Sequence, residues 1–262
     1  MSKLAVVILA FWPVWSWYWA RSMDGSDEPW GILALLTAAL FVIKEARGRL
    51  VQIPPAALAV LAIYGAAYHL LPALLRAALA LVCIGLTISP LLSHRKFHLG
   101  FCGLLLLSLP IIASLQFYAG YPLRALTGKL VAVLIGITGE QVVAVGTSLL
   151  WRGDVLSIDV PCSGIKMLWS GLYVAFTLAC FLNLSNSQTW LGYVFSSLTI
   201  FVANIARTFV LFFTESRIVP APQWFHAFAG IATFCVALLV IFSVLSWMQR
   251  RNDEAWRFCE VK

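Results

Sequence analysis

Charge is what this chain has least of. Asp, Glu, Lys and Arg make up only 11% of its 262 residues, against about 25% in soluble domains. So little charge cannot clothe a water-facing globule, and a soluble fold is excluded. Histidine is scarce as well, at 4 residues, and the 6 cysteines follow neither zinc-type spacing nor a disulfide-rich framework. Neither a metal nor an organic cofactor is implied. The sequence has no internal repeat and no low-complexity linker. A net charge of +7 could signal nucleic acid, but no basic stripe interleaves with surface aromatics. Lys and Arg gather instead in short gaps between apolar runs, which points away from nucleic-acid binding and toward membrane topology.

Apolar sequence fills the rest. Hydrophobic residues reach 61%, the mean hydropathy is +0.91, and Trp is abundant, several in the segment Phe11 to Trp19 where a membrane–water boundary suits it. Runs at about 4–20, 30–43, 54–71, 75–92, 99–118, 162–183, 189–213 and 225–248 approach the roughly 20 residues that a spanning helix needs. The expectation is an all-α polytopic membrane protein with about eight transmembrane helices. The first run follows a single lysine and has no convincing small-residue cleavage site, so a retained helix is expected rather than a signal peptide. Pro54, Pro72, Pro90 and Pro122 are expected near the ends of runs, where a missing N–H is best tolerated.

Charge also orients the runs. Lys44, Arg47 and Arg49, then Arg95 and Lys96, then Arg250 and Arg251 mark cytoplasmic gaps, while the loop from Arg21 to Pro29 holds Asp24, Asp27 and Glu28 and falls outside. Both termini are then cytoplasmic in the inner membrane. Residues 1–118 form a five-helix region, 119–161 an extracytoplasmic segment, 162–248 a three-helix region and 249–262 a cytoplasmic tail. Within the segment, 123–139 are expected to form an interfacial or re-entrant helix. Val142 to Val145 and Val155 to Val160 are expected as a small β-hairpin turning at Gly153-Asp154, so that Arg152-Gly153-Asp154 is a turn and not an adhesion motif.

Three features interrupt the apolar background. Cys162, in Pro161-Cys162-Ser163-Gly164-Ile165-Lys166, opens the sixth helix, where the dipole and Lys166 favour thiolate. The small Ser163 and Gly164 would admit a substrate backbone, and their N–H groups could cradle an oxyanion. Asn204 and Arg207 share a face of the seventh helix, and a charge inside a span is a functional hypothesis by default. His226 begins the eighth helix, where the N-terminus keeps an imidazole neutral and able to accept a proton. Each alone has a plain alternative: a small-residue packing turn, an arginine snorkelling to headgroups, a solvated boundary histidine. Alternation of the helices, however, brings all three to one membrane depth. A thiol, a base and a fixed cation are what acyl transfer requires. His69, His94 and His98 find no such setting, the last two belonging to the cytoplasmic loop.

Tyr121-Pro122-Leu123-Arg124, the β-prone stretch, Pro161 to Lys166, Asn204-Ile205-Ala206-Arg207 and His226-Ala227-Phe228-Ala229-Gly230, in that order, resemble the exosortase/archaeosortase family over about residues 119–248. The histidine at 226, where the archaeal branch tends to use arginine, points to the bacterial exosortase branch. Pro161, Ala227 and Ala229 depart from the usual pattern and bear on substrate subtype. The resemblance implies a membrane cysteine transpeptidase with Cys162, Arg207 and His226 as its catalytic set. It implies substrates that are exported proteins ending in a Pro-Glu-Pro-like motif, one spanning helix and a basic tail, and a lipid or polysaccharide surface acceptor. Arg124, Lys166 and Asn204, with Ser163 and Gly164, would bind substrate. A non-catalytic transporter or scaffold for surface polysaccharide is the alternative class, in which Arg207 contacts a ligand and Cys162 is incidental.

Overall fold

Proline and glycine, more than hydropathy, decide where the helices break. A computed structural model describes residues 2–25, 30–45, 52–92, 96–222 and 224–260. The loop markers Asp27, Glu28, Arg47, Arg49, His94 and Arg95 lie outside the described residues. The helices are α1 (Ser2–Ala10), α2 (Trp12–Met23), α3 (Trp30–Glu45), α4 (Pro55–Ala66), α5 (Ala73–Leu92), α6 (Leu99–Leu107), α7 (Ile112–Ile137), α8 (Ile165–Phe181), α9 (Asn186–Glu215) and α10 (Phe225–Glu260). Among the described residues, four stretches are long and apolar enough to cross a membrane: Ala73–Leu92, Ile112–Ile137, Asn186–Glu215 and Phe225–Arg251. Two shorter apolar helices, Pro55–Ala66 and Ile165–Phe181, accompany them.

The run at 99–118 is not one helix. Pro110 has no N–H for the ladder, so α6 stops after 9 residues and α7 begins at Ile112. The segment 123–139, expected as a separate interfacial helix, is instead mostly the second half of α7. Pro122, expected at the end of a run, lies in the middle of that helix, whereas Pro90 sits in the last turn of α5 as expected. At 26 residues and about 1.5 Å per residue, α7 is long enough to span.

The chain divides into two compact units, one of Met1–Ile111, Phe176–Leu191 and Met248–Lys262, the other of Ile112–Ala175 and Gly192–Trp247. In the first, close approach depends on missing side chains: a Cβ at Gly103 would overlap the Phe176 ring, and one at Gly85 the Cys102 sulfur. Small residues let membrane helices approach in this way. His98, expected in a loop, is buried. It caps α6 by accepting from the Phe101 N–H through Nδ1 at 3.2 Å. Ser185 and Gln188 cap α9 reciprocally, each backbone N–H donating to the other's side chain, at 2.9 and 3.2 Å.

The second unit holds a three-stranded antiparallel meander, β1 (Val142–Val145), β2 (Ser148–Trp151) and β3 (Asp154–Ser157), in order β1-β2-β3. This corrects the expected hairpin: Ser148 to Trp151 supply a middle strand. Arg152 and Gly153, with φ of 51° and 93°, make the two-residue turn into β3, the geometry of a type I′ hairpin. The Arg152-Gly153-Asp154 triplet is therefore a turn and the first residue of a strand. Register pairs Val142 with Trp151 and Leu149 with Leu156, which gathers Val142, Ala144, Leu149, Trp151 and Leu156 on one face. That face meets Val131 and Ile135 of α7 and Phe209, Phe212 and Phe213 of α9. Trp151 stands edge-on to Phe212 at 5.9 Å and donates from its indole to Glu140 at 2.8 Å. Arg152 pairs with the same carboxylate at 3.0 Å.

Candidate active site

Cys162 lies before α8, not within it. It occupies a 3-10 turn, Val160–Ser163, which ends at Gly164 with φ of 76°. The Cys162 N–H donates to the Asp159 carbonyl at 2.9 Å. Its carbonyl accepts from Asn204 Nδ2 of α9, also at 2.9 Å. Asn204 is only 1% exposed, and its other amide atom, Oδ1, has no hydrogen-bond partner among the described residues. Gly164 is required twice here. Its backbone is left-handed, and a Cβ would stand 3.0 to 3.3 Å from the Asn204 side chain. The turn and the asparagine thus lock the cysteine's backbone in place.

The same turn is held from α7. Ser163 Oγ donates to Gln116 Oε1 at 3.0 Å and accepts from the Ile165 N–H at 3.4 Å. Arg124 donates to the Gly120 carbonyl of its own helix at 3.3 Å and to the Ile158 carbonyl at 3.4 Å, which ties α7 to the residue just beyond β3. Lys166 stands half-buried in the first turn of α8.

Cys162 is 6% exposed and belongs to the apolar cluster beneath the sheet. Burial pushes its thiol above the ordinary range, the Arg207 guanidinium draws it down, and the Glu215 and Asp159 carboxylates push it up. Burial wins over the cation. The expected stabilisation of thiolate by the helix terminus is therefore not what the surroundings deliver.

Arg207 is 9% exposed, so it is packed in protein rather than snorkelling outward. Gly230 of α10 makes room for it: a Cβ there would come within 3.3 Å of the guanidinium Nε, an atom that is itself buried and has no hydrogen-bond partner among the described residues. His226 lies four residues before Gly230, on the same face of α10. Its Nε2 stands 3.7 Å from Glu215 Oε1 at the end of α9, with both side chains about half exposed. Among the described residues no hydrogen bond joins His226 to Cys162.

A small cleft bounded by Ile158, Asp159, Cys162, Thr208, Leu211 and Glu215 brings the thiol and the Glu215 side chain to one cavity, while Arg207 and His226 do not line it. A second, more apolar pocket opens beside Ser163, Gly164 and Asn204, walled by Leu123, Leu168 and Phe201. Among the described residues no three His, Cys, Asp or Glu groups lie placed to hold a metal ion. Chemically the site offers a buried thiol, a fixed cation within its electrostatic range and an imidazole–carboxylate pair at the rim. Asp159, Glu215 and Gln116 escaped the sequence reading. Acids at the end of an apolar run look like solvated boundary residues. Yet Asn204, Thr208, Leu211 and Glu215 fall on one helical stripe, the pattern that betrays Glu215.

The description "Transmembrane exosortase" belongs to a family model that matches residues 2–243 of the chain, well beyond the part from 119 onward that carries the motifs. No curated protein and no solved structure matches.

Proposed function

Because this chain belongs to the transmembrane exosortase family, we propose that it is a membrane cysteine transpeptidase that processes C-terminal sorting signals of exported proteins. Cys162 attacks the scissile carbonyl, and His226 takes the thiol proton and returns it to the leaving amine. Arg207 stabilises the oxyanion or holds a substrate carboxylate. The acyl-enzyme then passes to a lipid or polysaccharide acceptor at the surface. The substrates end in a Pro-Glu-Pro-like motif, a spanning helix and a basic tail, and Arg124 and Lys166 would meet the motif's carboxylate by exchanging their present contacts.

One observation carries this reading. Arg207 is a buried cation whose field reaches the Cys162 thiol, while Asn204, one turn earlier on the same helix face, holds the Cys162 carbonyl. Burying a charge is costly unless something uses it. A transition state that develops negative charge beside Cys162 is such a use. Turn and asparagine together hold the nucleophile's backbone before substrate arrives.

The topology that fits is eight crossings with both termini cytoplasmic. α1 with α2 make the first and α7 replaces the run at 99–118 as the fifth. The sheet, the Cys162 turn and the α9–α10 loop are then extracytoplasmic, in the inner membrane.

The test is coexpression of a tagged exported protein bearing such a tail with Cys162→Ala, Arg207→Ala and His226→Ala variants. Each is expected to leave the tail uncleaved at wild-type expression. Normal cleavage by correctly inserted Cys162→Ala protein overturns the assignment.

A further inference from the structure

We infer that Glu215 is a positioning residue for His226, its carboxylate fixing the ring so that Nδ1 is the nitrogen left to receive the Cys162 proton. This rests on the reading of His226 as the base and extends it to a third partner. Three observations point the same way. His226 Nε2 is 3.7 Å from Glu215 Oε1, within ion-pair range and close enough for a small ring rotation to close a hydrogen bond. Glu215 also borders the cleft that contains Cys162, so the carboxylate connects the rim histidine with the nucleophile's cavity. Gly230, on the His226 face of α10, lies against Arg207, which turns that face toward the α9 stripe ending in Glu215.

The step balances without a further reactant. The Cys162 S–H bond breaks and its proton forms an N–H bond at His226 Nδ1. The electron pair stays on sulfur for attack, and the ring's new positive charge lies against the Glu215 carboxylate. An acid that orients and stabilises an imidazolium in this way need not itself accept a proton. Asp159 is the competing carboxylate. Its backbone carbonyl holds the Cys162 N–H, and among the described residues no ion pair joins its side chain to His226.

A second account makes Glu215 merely a charge near the thiol, or a clamp closing the α9–α10 loop. The sign of one substitution separates these. As a bare charge Glu215 disfavours thiolate, so Glu215→Gln should quicken alkylation of Cys162. Acting through His226, it supports deprotonation, and the same change should slow it.

The experiment uses the full chain in lipid bilayers, with carboxamidomethylation of Cys162 by iodoacetamide followed by peptide mass spectrometry across pH. In the parent background, Glu215→Gln is expected to slow Cys162 modification near neutral pH, and to slow processing of the tagged tail about tenfold or more. Glu215→Asp is expected to recover part of both. In a His226→Ala background only the direct charge remains, so Glu215→Gln should then raise alkylation. A rise in both backgrounds overturns the inference and leaves His226 as an unassisted base. Normal processing by His226→Ala overturns the underlying role of His226, and the Glu215 inference with it.

Discussion

At Gly164 and Arg207 single atoms decide what the site can do. Gly164 combines a left-handed backbone with a contact to Asn204 so close that a methyl group would crowd the amide by a few tenths of an ångström. Gly164→Ala therefore carries a backbone cost of about 1–2 kcal/mol, and it also pushes Asn204 off the Cys162 carbonyl. Processing is expected to fall about tenfold or more while the protein still inserts and stays monodisperse. Gly136→Ala is the control, since nothing lies within 4 Å of a Cβ there. That change should be neutral or stabilise α7 by up to about 1 kcal/mol. Equal losses from both would remove the link to Asn204. Arg207 draws the thiol's titration down against burial. Burial raises Cys162 and the guanidinium lowers it, so wild-type alkylation should inflect above the value near 8.5 of an ordinary thiol. Deleting a cation that favours thiolate moves the inflection further up, so Arg207→Gln should be less reactive near neutral pH. Arg207→Lys restores the charge but not the planar fork. It should return the inflection toward wild type without returning processing. An unchanged inflection in Arg207→Gln would disconnect the two residues.

The meander beneath which Cys162 is buried depends mainly on one ring. Trp151 packs into the cluster with Phe212 and the thiol, donates to Glu140 and lies under Arg152, whose guanidinium is 4.7 Å from the ring. Trp151→Ala should cost about 3–5 kcal/mol through the cavity it leaves, read as an earlier melting transition in detergent. It should also speed Cys162 alkylation by opening the cover. Trp151→Phe keeps most of the apolar contact and should cost only about 1 kcal/mol for the lost hydrogen bond. Faster melting without faster alkylation would show that the sheet does not shield the nucleophile. What was legible at this scale follows from the same physics. Cys162, Asn204, Arg207 and His226 stood out because polar groups are expensive among apolar neighbours. The strand Ser148–Trp151 was hidden because Ser-Leu-Leu-Trp has no β-branched residue and does not alternate. Its pairing comes from the turns at Gly146 and Arg152-Gly153 instead. Pro110 was hidden because a hydropathy window averages a single proline away among leucines. His98 looked like loop because capping a buried helix start leaves no signature in charge.

For the molecule as a whole the question is which elements cross. Length and composition qualify α5, α7, α9 and α10 directly. At 17 residues and about 1.5 Å each, α8 covers about 25 Å against a hydrocarbon core of about 30 Å. It can cross only if the Cys162 turn and the residues beyond Phe181 reach the interfaces. The position of α7 matters most. If the fifth crossing were 99–118 and 123–139 crossed again, the parity would reverse and the nucleophile would face the cytoplasm. Pro110 ends α6 early and α7 runs unbroken past Pro122, so the proposed topology counts one crossing there and keeps the parity. A cysteine-free background with single cysteines tests this directly. Gly139→Cys and Gly153→Cys should react with a membrane-impermeant thiol reagent on intact cells, and Arg217→Cys likewise. Lys96→Cys should react only after permeabilisation. Labelling of Gly139→Cys and Lys96→Cys from the same side would mean that α7 does not cross. An exported tail could then no longer meet Cys162 at the outer face, whatever the local geometry of the site.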